Sequence, residues 1–238
     1  MMLRNLQELL IYGRELEERR AAVIASVEEQ GKMTEELRQA FEAADTKQRL
    51  EDLYLPYKPK RKTRAQAAVA AGLEPLADKL WKNPGLDPQA EAQAFVSADK
   101  GVADTKAALD GARDILAERF AENADMLEML RAWLWKHAFI VSSVDEAKKA
   151  TPEAANFRDY FDYSEALNEV ASHRALALFR GRQEGVLTLK MLLTEEEEAL
   201  PVHPCQKLIA DFLGWHDEGR AADQWIASVI RWTWRVKC

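Results

Sequence analysis

The helical spacing of apolar residues near the start of the chain constrains the fold most strongly. Residues 3–30 contain no proline and one glycine, Gly13. Leucines and valines recur there mostly three or four positions apart, which is the spacing of one face of an α-helix. At 1.5 Å per residue, the pattern predicts a first helix roughly 42 Å long. A segment of this kind favours a helical architecture over a β-rich one.

Helix signals continue along most of the 238 residues. Residues that can cap a helix N-terminus precede several helical patterns. The candidates are Thr34, Asp45 or Thr46, Thr63, Asp87 and Ser172. Two apolar or β-branched runs, residues 139–144 and 185–193, have strand length instead. The sequence therefore predicts a mainly α fold, an irregular multi-helix scaffold with a small two-stranded β element.

We expect two regions in the chain. Residues 1–138 form an N-terminal helical region with the long first helix, and residues 139–238 form a helical region with the two short strands. Helical patterns run to both ends without a cap or a stop signal, so we expect a fragment that is truncated at its C-terminus. One face of the last predicted helix is apolar, and its members are Trp225, Val229, Trp232 and Val236. This face either packs on the chain's own core or meets a downstream segment.

Composition limits the classes of function. An apolar fraction of 47% indicates a globular rather than a disordered chain. No apolar run approaches the ~20 residues that cross a bilayer. Cys205 and Cys238 are the only cysteines, which favours a reducing compartment and places the protein in the cytoplasm. The formal net charge of -7 argues against broad coating of DNA, although it leaves room for a local basic site.

The sequence lacks the familiar motifs of enzyme chemistry. It has no glycine-rich phosphate loop, no HExxH and no paired CxxC. His203 and Cys205 resemble a metal pair, but zinc needs three or four ligands. Asp159 and Asp162 could act as paired carboxylates on one helix face, yet the aromatic residues around them favour a packing segment with surface acids. We therefore predict no catalytic residue, no metal and no cofactor.

A cluster of cations is the strongest functional candidate. Five of the seven residues 58–64 are basic, and this basic segment contains Lys58, Lys60, Arg61, Lys62 and Arg64. Pro56 and Pro59 stiffen the segment. Tyr54 and Tyr57 precede it and could stack on bases. Lysine and arginine contact phosphates without reading the base sequence, so the pattern predicts a phosphate-binding surface.

Alternatives stay open for these cations. The basic segment either binds nucleic acid, or neutralises nearby acids such as Glu51, Asp52 and Glu74, or simply keeps the loop solvated. A second basic pair, Arg180 and Arg182, lies further along the chain with Arg174. These arginines either extend the nucleic-acid-binding patch or pair with the acidic run at residues 195–198.

Several long motifs resemble one known family. They are, in order, TKQRLEDLYLPYKPKRKTRAQAAVAAGLEPLAD, FRDYFDYSEAL, SHRALALFRGRQEGVL and IRWTWRVK. These motifs resemble the Tex family of bacterial transcription accessory proteins, and the likeness runs from about residue 16 to residue 237. The resemblance implies longer helical proteins in which this region precedes a nuclease-like YqgF domain, helix-hairpin-helix modules and a C-terminal S1 RNA-binding domain. It also implies that this chain is an N-terminal fragment without those modules.

The resemblance and the cations together predict a role in transcription. We expect a non-enzymatic scaffold that binds RNA or DNA through Tyr57, the basic segment, Arg180 and Arg182. Binding by this chain alone should be weak, because the S1 module is the family's recognised nucleic-acid-binding part. The alternative is a protein-interaction scaffold that docks RNA polymerase or another transcription protein without nucleic-acid contact. The downstream domains of the same protein are further expected partners, and no membrane is expected.

Overall fold

Helices make up most of the structure, a computed structural model that describes residues 2–59 and 63–237. The α-helices are α1 (Met2–Glu29), α2 (Glu35–Ala43), α3 (Lys47–Tyr54), α4 (Arg64–Ala70), α5 (Glu74–Lys82), α6 (Pro88–Gln93), α7 (Thr105–Ala121), α8 (Ala124–His137), α9 (Ser172–Gln183), α10 (Glu195–Glu198), α11 (Pro204–Phe212) and α12 (Asp223–Lys237). Short 3-10 helices lie at Leu55–Tyr57, Ala98–Lys100 and Glu153–Tyr160. The strands are β1 (Phe139–Val144), β2 (Asp162–Ala166) and β3 (Leu187–Leu192). The mainly α prediction is confirmed.

Most of the predicted helix caps are present. The hydroxyls of Thr34, Thr46 and Thr63 each accept a hydrogen bond from the backbone N–H three residues later. The carboxylate of Asp87 accepts from the N–H of Gln89, at 2.9 Å. The prediction for Ser172 is wrong, because the extended N-cap conformation falls one residue earlier and Ser172 is already helical. No side chain caps α9 among the residues described.

The chain folds into two compact units. The first consists of Met1–Glu128 together with Ile209–Cys238, and the second consists of Met129–Leu208. The first unit is therefore made from two separate stretches of the sequence, while the second is continuous. The division of the chain into regions 1–138 and 139–238 stays a prediction.

The first three helices of the first unit share an apolar core. Val23 and Val27 of α1, Phe41 of α2 and Leu50 of α3 have no exposed surface. Full burial of a large apolar side chain stabilises a fold by roughly 1.5–3 kcal/mol. Residues 6–12 of α1 lack such burial, so the core forms around the second part of this helix.

Helix α7 is the centre of the rest of the first unit, since α4, α5, α6 and α12 all pack against it. The buried side of α12 contains Ile226, Val229, Ile230 and Thr233. The prediction of an apolar face on the last helix is therefore only partly correct. It shares Val229 with the buried side, but Trp225 and Trp232 are half-buried and Val236 is 54% exposed.

The second unit is built on an antiparallel sheet in the order β2-β1-β3. Helix α9 and the 3-10 helix Glu153–Tyr160 cover this sheet, and their core includes Phe157, Leu178 and Leu187. β1 and β3 confirm the two predicted strands, while β2 was missed. None of the side chains of β2 is fully buried, so its sequence lacks an apolar strand signal. Pairing with β1 defines it as a strand.

None of the described helices combines the length and the apolar character that a bilayer crossing would require.

Candidate nucleic-acid interface

The two ends of the basic segment are fixed by local structure. The backbone N–H of Lys58 donates to the carbonyl of Tyr54 at 3.0 Å, which closes the turn after α3. At the other end, Thr63 and Gln66 form a reciprocal capping box that begins α4. Lys58 and Arg64 are therefore held by structured backbone, and both are exposed. Three of the predicted site residues, Lys60, Arg61 and Lys62, lie outside the described residues.

The two tyrosines before the segment belong mainly to the core. Tyr54 is only 6% exposed, and its hydroxyl lies 2.9 Å from the hydroxyl of Ser26. Tyr57 is half-buried against the same core, and its carbonyl accepts a hydrogen bond from Gln30 at 2.9 Å. The proposal that Tyr54 stacks on a base is therefore wrong, because neither face of a buried ring is free. Tyr57 is only partly buried.

Carboxylates lie close to the described cations of the segment. The Nζ of Lys58 is 3.9 Å from an oxygen of Glu51, and the other oxygen of Glu51 accepts from Arg19 at 2.5 Å. The hydrogen bond from Arg19 lowers the pKa of Glu51, so this carboxylate stays charged at neutral pH. Among the described residues, none forms an ion pair with Arg64.

The other two acids expected to neutralise the segment also make contacts with other residues. Asp52 is 4% exposed and accepts a hydrogen bond from Gln48 at 3.1 Å. Glu74 pairs with Arg119 at 3.1 Å. The neutralisation hypothesis is therefore confirmed for Glu51, which lies 3.9 Å from Lys58, and stays a prediction for Asp52 and Glu74.

An acidic stripe on α7 was not foreseen. Asp114 and Glu118 lie four residues apart on α7, and Glu122 follows at the C-cap with the same spacing. All three line a groove of about 460 Å³, and Lys58 and Arg64 line the same groove. Glu118 also accepts a hydrogen bond from the hydroxyl of Thr63 at 2.8 Å. The spacing of the acids could be read from the sequence, but their place in the same groove as Lys58 and Arg64 follows from the packing of α4 on α7.

The second set of predicted cations lies in the last turn of α9. Arg180 and Arg182 are exposed, and neither makes an ion pair within the part of the chain that the structure describes. Gly181 between them is buried, and a Cβ there would lie 2.5 Å from Leu187 Cδ1. The glycine thus lets α9 approach β3 closely.

The expected pairing of these arginines with the acidic run is not found. The guanidinium of Arg174 binds Glu165 of β2 instead, with one contact at 3.0 Å. This hydrogen bond lowers the pKa of Glu165. In the acidic run, Glu197 completes a capping box with Thr194, and Glu198 accepts from the backbone of Leu193 at 2.9 Å. Arg180 and Arg182 therefore remain available to a partner.

The two residue pairs considered for metal binding or catalysis, His203 with Cys205 and Asp159 with Asp162, can be placed in the structure. His203 Nδ1 accepts the backbone N–H of Cys205 at 3.2 Å, and Cys205 is fully buried. Asp159 belongs to a 3-10 helix and Asp162 to β2, so the idea that they share a helix face is wrong. No group of three or more His, Cys, Asp or Glu residues is placed to hold a metal ion in residues 2–59 and 63–237.

Comparison with known proteins assigns the chain to a family. Residues 83–238, more than half of the chain, match the family described as Tex central region-like. The chain is 55% identical to protein YhgF of Escherichia coli and 46% identical to the transcriptional accessory protein Tex of Neisseria gonorrhoeae, in each case over 99% of its length. It is 30% identical, over 81% of its length, to the human S1 RNA-binding domain-containing protein 1, of which it covers 20%.

These matches show that the chain belongs to the Tex family of bacterial transcription accessory proteins. It spans about 30% of the length of the two bacterial relatives.

Proposed function

We propose that this chain is a non-enzymatic scaffold that contributes phosphate contacts when a Tex-family protein binds RNA or DNA during transcription. The observation that carries the proposal is the concentration of five cations in seven residues on a chain with a net charge of -7. The names of two relatives, a transcriptional accessory protein and an S1 RNA-binding domain-containing protein, support it. A cytoplasmic location belongs to the same proposal and rests on the two-cysteine sequence.

The proposed contacts come from both compact units. In the first unit they are Lys58, Lys60, Arg61, Lys62 and Arg64, with the exposed part of Tyr57 beside them. In the second unit they are Arg180 and Arg182. Such side chains neutralise phosphates without reading bases, so affinity should depend strongly on salt and weakly on sequence. Because Glu51 competes for Lys58, binding by the basic segment should be weak.

A mobility-shift titration with single-stranded RNA and DNA at several salt concentrations tests the proposal. Replacing Lys60, Arg61 and Lys62 by alanine removes three phosphate contacts, so the slope of log K against log salt should flatten by about 2 to 3. The matched control replaces Lys32, Lys82 and Lys106, which changes the net charge equally at exposed positions of the same unit. Equal losses in the two variants would mean that only overall charge matters. Absence of binding at low salt would overturn the proposal.

A second function, docking of a protein, is favoured by an apolar surface on α9. Leu176 is 69% exposed and Phe179 is 54% exposed, three residues apart on the same helix. Exposed apolar neighbours of this kind occur at protein interaction sites. RNA polymerase or another transcription protein would then be the partner. This function becomes the better one if the chain binds no nucleic acid but Phe179→Ser weakens association with RNA polymerase.

A further inference from the structure

The outward side of α9 carries a row of exposed side chains, formed by Leu176, Phe179 and Gln183. They follow one another at spacings of three and four residues, which places them along one side of the helix. All three are exposed, whereas Leu178 and Gly181 of the same helix are buried in the second unit. This alternation shows which side of α9 a binding partner can reach.

Phe179 stands in the middle of this row with an accessible ring. Phenylalanine is among the residues most often found buried, yet this side chain is 54% exposed. Among the residues that the structure describes, no other ring and no cation is stacked on it. An uncovered aromatic ring can stack on any nucleic-acid base, because every base has a π-face.

Two arginines flank the row. Arg180 and Arg182 are two positions apart, so they project about 200° from each other around the helix and lie on either side of Phe179. Both are exposed, and neither makes an ion pair within the described residues. Arginine without an internal acid is suited to a phosphate, which its planar group can bind through two hydrogen bonds. Ring and cations are thus arranged as one base and its two neighbouring phosphates require.

The charges at the end of α9 bear on this arrangement. The C-terminal end of a helix carries partial negative charge, which disfavours anions. Lys148 opposes this charge, because its Nζ donates to the carbonyl of Gly185 at 2.6 Å, directly after the helix. Glu184 lies four residues after Arg180, but no ion pair joins the two in the described part of the chain. The cations of this surface are therefore not neutralised by the helix itself.

We propose that one unpaired base of a single-stranded nucleic acid stacks on Phe179, while the phosphates on its two sides bind Arg180 and Arg182. The strand then crosses α9, because the two guanidinium groups lie on opposite sides of the row. The inference rests on the proposed function, to which it adds a base contact. Bases of a duplex are already stacked on their neighbours, so a duplex contacts only the arginines.

The arginines favour a nucleic acid over a protein as the partner of this row. A strand matches both the ring and the flanking positive charges. Two exposed apolar side chains supply only a small part of the roughly 800 Å² that a stable protein interface buries on each partner. Docking of a protein at the same row is the competing outcome of the experiment.

Fluorescence anisotropy with labelled ligands of equal length tests the inference: oligo-dT, an abasic strand and a duplex. Stacking of one base should make oligo-dT bind about tenfold more tightly than the abasic strand, with similar salt slopes for the two. Equal affinity for oligo-dT and the abasic strand overturns the inference while leaving the proposed function intact. Failure of every ligand to bind overturns both.

Variants of Phe179 locate the effect. Phe179→Leu keeps an apolar side chain but removes the ring, so it should abolish the advantage of oligo-dT and leave the salt slope and the duplex affinity unchanged. Phe179→Tyr keeps a ring and should keep the advantage. The matched control is Phe212→Leu in α11, where the side chain is 39% exposed. An unchanged advantage in Phe179→Leu, or its loss in Phe179→Tyr, overturns the inference.

The same variants separate the stacking of a base from the docking of a protein. If Phe179→Leu binds oligo-dT as the wild type does, while Phe179→Ser weakens association with RNA polymerase, the row is a protein-docking surface and the inference is overturned. Comparing oligo-dT with the abasic strand on the wild-type chain needs no variant, so the inference stays testable if a substitution prevents folding.

Discussion

Lys58 and Arg64 in the first unit and Arg180 and Arg182 in the second are all exposed. Among the residues that the structure describes, carboxylates are found beside the first pair, whereas the second pair has no ion-pair partner. Lys58 lies 3.9 Å from Glu51, and the acidic stripe of α7 lines the same groove as Lys58 and Arg64. Arg180 and Arg182, the α9 pair, make no ion pair in the described part of the chain. A cluster of cations in a sequence therefore does not by itself measure how much positive charge a partner meets.

The position of the α9 pair depends on the close approach of α9 to the sheet. A substitution that prevents this approach is expected to have the largest effect. A side chain at Gly181 would collide with Leu187, whose Cγ would be 2.8 Å from the new Cβ, and with Phe157 at 3.0 Å. We expect Gly181→Val to destabilise the second unit by about 2–3 kcal/mol in urea unfolding. The control is Gly13→Val, because Gly13 has nothing within 4 Å. Similar stability of the two variants would contradict the close approach.

Arg220 shows how completely a buried carboxylate can engage an arginine. Asp223 is 1% exposed and accepts hydrogen bonds from the Arg220 side chain, from the N–H of Glu218 at 3.0 Å and from the indole of Trp215 at 3.1 Å. Burial raises the pKa of Asp223, but these hydrogen bonds outweigh it, so the pKa is lowered. We expect Asp223→Asn to cost about 2 kcal/mol at pH 7.

The sign of the pH dependence follows from the lowered pKa of Asp223. Because the folded-state pKa lies below the unfolded value, the carboxylate contributes its full stability above about pH 4 and loses it as the pH falls further. Urea unfolding at pH 7 and pH 3 measures this. The difference in free energy of unfolding between wild type and Asp223→Asn should shrink at pH 3, and a constant difference would contradict the assignment.

Alanine substitution compares the two cation pairs directly. If each arginine of the α9 pair contacts one phosphate, Arg180→Ala with Arg182→Ala should flatten the salt slope by about 1.4–1.8. Lys58→Ala with Arg64→Ala should flatten it less, because Glu51 already competes for Lys58. Lys82→Ala with Lys106→Ala is the control of equal charge. If Lys58→Ala with Arg64→Ala flattened the salt slope more than Arg180→Ala with Arg182→Ala, the first unit would contribute more to phosphate binding than the second.

The smallest expected effect concerns Glu51. Glu51→Gln removes the charge next to Lys58 and Arg19, so affinity for single-stranded nucleic acid should rise about twofold, since an exposed ion pair is worth at most ~1 kcal/mol. Glu29→Gln removes the same charge at an exposed position in α1 and serves as the control. If both substitutions raise affinity equally, the effect is that of net charge and not of local competition.

Local signals predicted much of the fold because they act over a few residues. The cap of α4 at Thr63 and the strand at Phe139–Val144 are examples, and both are confirmed. Features that depend on distant partners were missed. β2 is a strand because β1 pairs with it, and Tyr54 is buried because α1 covers it at Ser26. Neither partner can be read from the local sequence.

The candidate site shows the same limit. The cations of residues 58–64 were evident in the sequence. The carboxylates of α7 that share a groove with Lys58 and Arg64 are fifty or more residues away, and they come close because α4 packs on α7. Thr63 and Glu118, for example, are separated by 55 positions and lie in hydrogen-bond contact. Arg180 and Arg182 were predicted as site residues from the sequence, but the sequence could not show that neither makes an ion pair within the described residues.

The composition of the first unit from two stretches of sequence has a consequence for synthesis on the ribosome. Helix α12 packs against α7, but about a hundred residues are made between the two, which takes roughly 5–20 s at 5–20 residues per second. During that interval the face of α7 that α12 covers is exposed on the nascent chain. The second unit is continuous in sequence, so it can fold while the first is incomplete. The second unit should therefore complete its folding before the first, although the first begins earlier in the sequence.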